Sequence, residues 1–125
     1  MLEKENCKIS DAEWRVMKVL WDESPATTTA IIEKLKDTDW KPKTIHSLIN
    51  RLVKKGALGV DKNSSQYHFF PLVSKEDCVR EETGSFISKV YDGSFYHMVV
   101  NFIKDDKISQ KEIKELKRIL DEKLK

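Results

Sequence analysis

The segment from Pro42 to Gly56 restricts the fold more than any other stretch of this chain. Proline at the first helical position loses nothing by lacking an N–H, and glycine just past the end tolerates the left-handed conformation that closes a helix. Between them Ile45, Leu48, Ile49, Leu52 and Val53 recur at i, i+3, i+4, i+7 and i+8, so one face is apolar and must be covered by other elements. Lys43, Ser47, Asn50, Arg51 and Lys54 occupy the opposite face. A helix so divided is buried on one side and offers cations and hydrogen-bonding groups on the other.

The flanking sequence supplies the covering elements. Ser10-Asp11-Ala12-Glu13 has the form of a capping box and opens a first helix over residues 11 to 22, with Val16, Val19 and Leu20 on its apolar stripe. Thr27 or Thr28 caps a short second helix that carries Ile31, Ile32 and Leu35. After the Pro42 helix, Leu58 and Val60, then Tyr67 and Phe69, alternate at strand period around the turn-forming Asp61-Lys62-Asn63-Ser64-Ser65, so a β-hairpin closed by Pro71 is expected. Three more helices follow: one from Ser74, one after Asp92-Gly93, and one from the capping box Ser109-Gln110-Lys111-Glu112.

The expected fold class is therefore mainly α with a small β-hairpin wing: a winged helix-turn-helix over residues 1–73 followed by an α-helical dimerisation domain over 74–125. Three amphipathic helices appended to so small a domain cannot all bury their apolar faces against it. A symmetric dimer through Phe86, Phe95, Val99, Phe102, Leu116 and Leu120 is the expected remedy.

Charge bears on function only when divided by position. The whole chain of 125 residues is nearly balanced at +2, but residues 41–62 hold six basic and one acidic side chain, 6 − 1 = +5. That excess coincides with the third helix and the hairpin, which points to double-stranded DNA. One helix fits the major groove, its N-terminal side chains facing base edges and its cations meeting phosphates. Thr44 and Ser47 can hydrogen-bond bases, Lys43 or His46 can donate to guanine, and Asn50 lies on the same outward face. Arg51, Lys54 and Lys41 suit phosphates, as does Lys62 at the hairpin tip.

Other classes find little support. No apolar run is long enough to span a membrane and the N-terminus is too polar for a signal peptide, so a cytoplasmic protein without membrane insertion is expected. There is no G-x-S-x-G elbow, glycine-rich phosphate loop or H-E-x-x-H helix, which argues against an enzyme. No cofactor is expected. His46, His68 and His97 lie far apart in sequence, and Cys7 and Cys78 stand alone, so no metal site is expected and the thiols read as reduced, buried or idle.

Three stretches carry a family likeness: Asp11-Ala12-Glu13-Trp14-Arg15-Val16-Met17-Lys18-Val19-Leu20-Trp21, Trp40-Lys41-Pro42-Lys43-Thr44-Ile45, and Asn50-Arg51-Leu52-Val53-Lys54-Lys55-Gly56-Ala57-Leu58. In combination they resemble the penicillinase repressor family of the BlaI/MecI type. The resemblance implies a homodimeric repressor of β-lactamase or resistance penicillin-binding-protein genes, binding a palindromic operator. It also implies release through a membrane β-lactam sensor and protease pathway. Val99-Val100-Asn101-Phe102-Ile103 resembles the family's inducible cleavage segment, with the scissile bond between Asn101 and Phe102. The chain departs from many relatives in having serine at residue 47, and it lacks the paired C-x-C motif of the copper-responsive branch. Two other uses of the scaffold stay open: repression of unrelated genes, and protein interaction without DNA.

Overall fold

In a computed structural model of the chain, which describes residues 7–125, six helices and three short strands form two compact units that divide between Thr83 and Gly84. The helices are α1 (Asp11–Asp22), α2 (Thr28–Lys34), α3 (Pro42–Lys54), α4 (Lys75–Tyr91), α5 (Phe95–Lys104) and α6 (Gln110–Lys123). The strands are β1 (Ala26–Thr27), β2 (Leu58–Asp61) and β3 (His68–Pro71). The boundary was expected after residue 73; α4 begins at Lys75, and the compact units part inside that helix, between Thr83 and Gly84.

Local chemistry sets the helix ends. Ser10 Oγ accepts the Glu13 N–H while the Glu13 carboxylate accepts the Ser10 N–H at 2.9 Å, completing the capping box of α1. Thr27 caps α2, Ser94 caps α5, and Ser109 with Glu112 forms a second capping box on α6. Gly56 follows α3 with φ of 86°, a conformation that a Cβ would strain.

The first unit is built around one apolar core. Val16, Met17 and Leu20 of α1, Ile31 of α2, and Ile45, Leu48, Ile49 and Leu52 of α3 are buried with Leu58 and Phe69 of the sheet. Trp14 and Trp21 meet edge to face with ring centroids 5.3 Å apart, and Trp21 Nε1 donates to the Val73 carbonyl at 3.0 Å. The hairpin is part of a three-stranded antiparallel sheet, order β1-β3-β2, with Ala26 opposite Phe69, and Leu58 opposite Pro71. Two residues are too few to show a strand period, which is why β1 has no sequence signature. Tyr67 lies outside the strand in which it was expected: the turn extends to it, the residue is 50% exposed, and β3 begins at His68.

Cys7 and Cys78 form a disulfide rather than the idle thiols expected. A sequence separation of 71 conceals the pairing, because the fold of the whole first unit brings their Cα atoms to 5.0 Å.

In the second unit α5 and α6 bury no side chain, although each is amphipathic. The left-handed Asp92 and Gly93 turn the chain between α4 and α5.

Candidate nucleic-acid interface

Helix α3 presents its two faces as its periodicity requires. Ile45, Leu48, Ile49 and Leu52 are anchored in the core, so rotation of the helix about its axis is fixed. Lys43, Thr44, His46, Ser47, Asn50, Arg51 and Lys54 are consequently all exposed, and Lys41 is exposed at the N-cap. Thr44, Ser47 and Arg51 follow one another at i, i+3 and i+7, and Lys43, Ser47, Asn50 and Lys54 at i, i+4, i+7 and i+11, so the hydroxyls lie toward the N-terminal end with cations at both ends. Thirteen residues give a rod of roughly 20 Å, able to lie in a groove about 12 Å wide.

Some cations of the chain are neutralised locally: Lys34 meets Glu23 at 2.9 Å, Lys36 meets Glu33 at 2.8 Å, and Arg118 reaches both Glu115 and Glu122. Each of these contacts favours the charged forms, holding Lys34, Lys36 and Arg118 above their ordinary pKa and Glu33 below it. None of Lys41, Lys43, Arg51, Lys54 and Lys62 pairs with a carboxylate among the described residues. Their charge is left for an external anion.

Lys55, one residue beyond α3, has a different use. Its Nζ donates to Glu13 Oε1 at 2.6 Å and to the Lys8 carbonyl at 2.9 Å, tying the end of α3 to the start of α1. Glu13 is almost wholly buried. Burial pushes its carboxyl upward, but the Lys55 hydrogen bond, the Ser10 N–H and the Lys55 charge together outweigh that and hold it below the usual carboxylate range. The capping role of Glu13 is legible in the sequence but this ion pair is not, since no local spacing connects residues 13 and 55.

The hairpin carries Lys62 on its turn, with Nζ 5.4 Å from the Tyr67 ring centroid, while Asp61 Oδ1 accepts the Asn63 N–H at 2.9 Å and shapes the turn. Arg15, which sequence reading left unassigned, stacks over the Trp40 ring at 5.6 Å and so sets a further exposed guanidinium beside the residue preceding Lys41. Among the described residues no three His, Cys, Asp or Glu side chains assemble as a metal site, and no helix is long and apolar enough to cross a membrane. His68 Nδ1 contacts the Gln66 carbonyl, and His97 Nδ1 lies 2.6 Å from Ser94 Oγ, so each histidine has a local partner.

In the second unit, Phe86, Phe95, Phe102 and Leu120 are 44, 59, 40 and 53% exposed, with Val99 and Leu116 half-buried. Asn101 and Phe102 lie within α5, both exposed, and their carbonyls accept N–H groups from Asp105 and Lys107.

The profile of the penicillinase repressor family matches residues 9–122. The chain belongs to the penicillinase repressor family. Among relatives, the methicillin resistance regulatory protein MecI of Staphylococcus aureus strain N315 is 39% identical over 123 residues, which are 98% of this chain and all of MecI. The penicillinase repressor of Bacillus licheniformis is 40% identical over 116 residues, covering 92% of this chain and 91% of the relative. The solution structure of the DNA-binding domain of the repressor BlaI covers 56% of this chain and 87% of its own, at 42% identity and a TM-score of 0.52. A second solution structure, of monomeric Bacillus licheniformis BlaI with the blaP half-operator, aligns over the same share with a TM-score of 0.51. The winged-helix class expected from sequence is thus that of a family structure.

Proposed function

We propose that this protein is a transcriptional repressor of β-lactam-resistance genes that binds operator DNA through α3 and the hairpin. The observation that carries the reading is the outward face of α3, whose cations are unpaired among described residues in a chain of this family. Thr44, Ser47, Lys43, His46 and Asn50 read base edges. Lys41, Arg51, Lys54 and Lys62 hold phosphates and release counterions, which supplies most of the sequence-independent affinity. Kinship with MecI and BlaI supports β-lactam resistance as the regulated trait.

The protein acts as a homodimer. Phe86, Phe95, Phe102 and Leu120 leave more apolar surface exposed than a single small unit retains without a partner, and a twofold assembly covers it while presenting two copies of α3 to a palindrome. Release follows a membrane sensor for β-lactams and cleavage between Asn101 and Phe102. Because that bond sits in α5, its cleavage requires local opening of the helix, which keeps the repressor intact in the absence of signal.

Fluorescence anisotropy with a duplex bearing two inverted blaP half-operators tests the reading. Tight, salt-dependent binding is expected, with Arg51→Ala weakening all duplexes and lowering the salt slope by about 0.9. Thr44→Ala or Lys43→Ala lowers discrimination against a scrambled duplex by roughly 1 to 3 kcal/mol. Equal affinity for both duplexes at every salt concentration, unaffected by all three substitutions, would assign the scaffold to protein interaction instead.

A further inference from the structure

The disulfide encloses the DNA-reading apparatus. Cys7 precedes α1 and Cys78, at a sequence separation of 71, lies in the first turn of α4, so the disulfide closes α1, β1, α2, α3, β2 and β3 in one covalent ring. Both cysteines are buried, at 2% and 0% exposure, and among the described residues Cys78 is the one buried member of α4. The remaining described ties at the root of that helix are slight: Val73 is buried and its carbonyl accepts the Trp21 indole N–H, while Val79 is 41% exposed. What holds residues 75–83 in the first unit is therefore concentrated at Cys78, which is packed in the core and carries a bond that thiol chemistry can make and break.

We propose that Cys7 and Cys78 are a reversible thiol–disulfide switch that locks the DNA-binding unit and the root of α4 when oxidised and loosens both when reduced. The oxidant is a low-molecular-weight disulfide. One cysteine thiolate attacks it, forming a mixed disulfide and releasing one thiol. The second cysteine then attacks the protein-bound sulfur, closing Cys7–Cys78 and releasing the other thiol, so two protein thiols are oxidised as one disulfide is reduced to two thiols. An open cavity of about 490 Å³, lined by Ile9, Trp14, Val79 and Thr83 among others, reaches residues close in sequence to both cysteines. Its volume lies in the range that admits small molecules. Breaking the ring restores to the unfolded chain the freedom that a long crosslink removes, and α4 loses the attachment of its buried residue.

The switch is tested on the full chain, without DNA, so that its outcome is independent of the operator reading. The protein is equilibrated in buffers of graded reduced-to-oxidised glutathione ratio, alkylated with iodoacetamide and weighed. Both cysteines are expected to pass together from alkylated to protected within one chain. Hydrogen exchange then compares the end states, and amides of residues 75–83 are expected to exchange about tenfold faster or more in the reduced form. The folding equilibrium constant of the first unit, followed by tryptophan fluorescence, is expected to fall by roughly two to three orders of magnitude on reduction. A Cys7→Ala/Cys78→Ala variant should match the reduced state and ignore the glutathione ratio; if it does not fold, the two states of the unaltered protein decide alone. Thiols that stay unpaired at every ratio, crosslinks between chains instead of within one, or identical exchange in both states would each overturn the proposal.

Discussion

Replacing Lys55 with methionine probes how α3 is held at the angle that exposes its polar face. The substitution keeps the length and apolar body of the side chain but removes the cation that meets Glu13 at 2.6 Å. The buried Glu13 carboxylate then keeps the Ser10 N–H at 2.9 Å and loses its counter-charge. Breaking a fully buried pair costs about 3 to 5 kcal/mol. Here the Lys55 side chain is 32% exposed, so solvent already screens part of the attraction and about 2 kcal/mol is expected. Glu13→Gln keeps an acceptor for both donors and should cost nearer 1 kcal/mol. The double variant should cost less than the sum of the two, because neither charge is left unpaired.

The sign of the pH dependence follows from Glu13. Its folded pKa lies below the ordinary value of 4.5, so the stability it contributes is fully present above that value and is lost as pH falls through the folded pKa. Without Lys55 the largest influence left on the carboxyl is burial, which favours the neutral form, so protonation relieves the variant. The stability gap between wild type and Lys55→Met should therefore narrow between roughly pH 7 and pH 4. Urea unfolding at fixed protein concentration measures it, followed by fluorescence, since Trp14, Trp21 and Trp40 all lie in the first unit. A gap below about 0.5 kcal/mol near neutral pH, or one that does not narrow on acidification, would refute the role given to the ion pair.

Trp21→Phe removes the 3.0 Å bond to the Val73 carbonyl and should cost about 1 kcal/mol in the same unfolding assay. Gly59→Ala would set a Cβ 2.6 Å from the Phe70 ring, and the displaced ring should lower stability by roughly 1 to 3 kcal/mol in thermal melts. Leu120→Asp places a charge on the exposed apolar side of α6 and should convert the dimer to monomer in analytical ultracentrifugation, with loss of tight binding to the paired duplex but not of weak half-site binding. Exposing host cells to a β-lactam should yield a fragment ending at Asn101 in mass spectra; derepression with the chain uncut would instead indicate release without proteolysis.

Sequence alone determined the elements whose information is local. The capping boxes at Ser10 and Ser109, the proline and glycine bounding α3, and the apolar series from Ile45 to Leu52 each lie within a few residues of one another, and each was realised. The exposed side of α3 followed from the same periodicity, because burying one face of a helix fixes the other. Tertiary structure decided what joins distant residues. The Glu13–Lys55 pair, the disulfide between Cys7 and Cys78, the stacking of Arg15 on Trp40 and the pairing of β1 with β3 have no local spacing to reveal them. The end of the hairpin turn at Tyr67 also escaped sequence reading, since alternation alone does not say where pairing begins. Periodicity records which side of an element is covered; only packing of the whole chain determines which residues meet there.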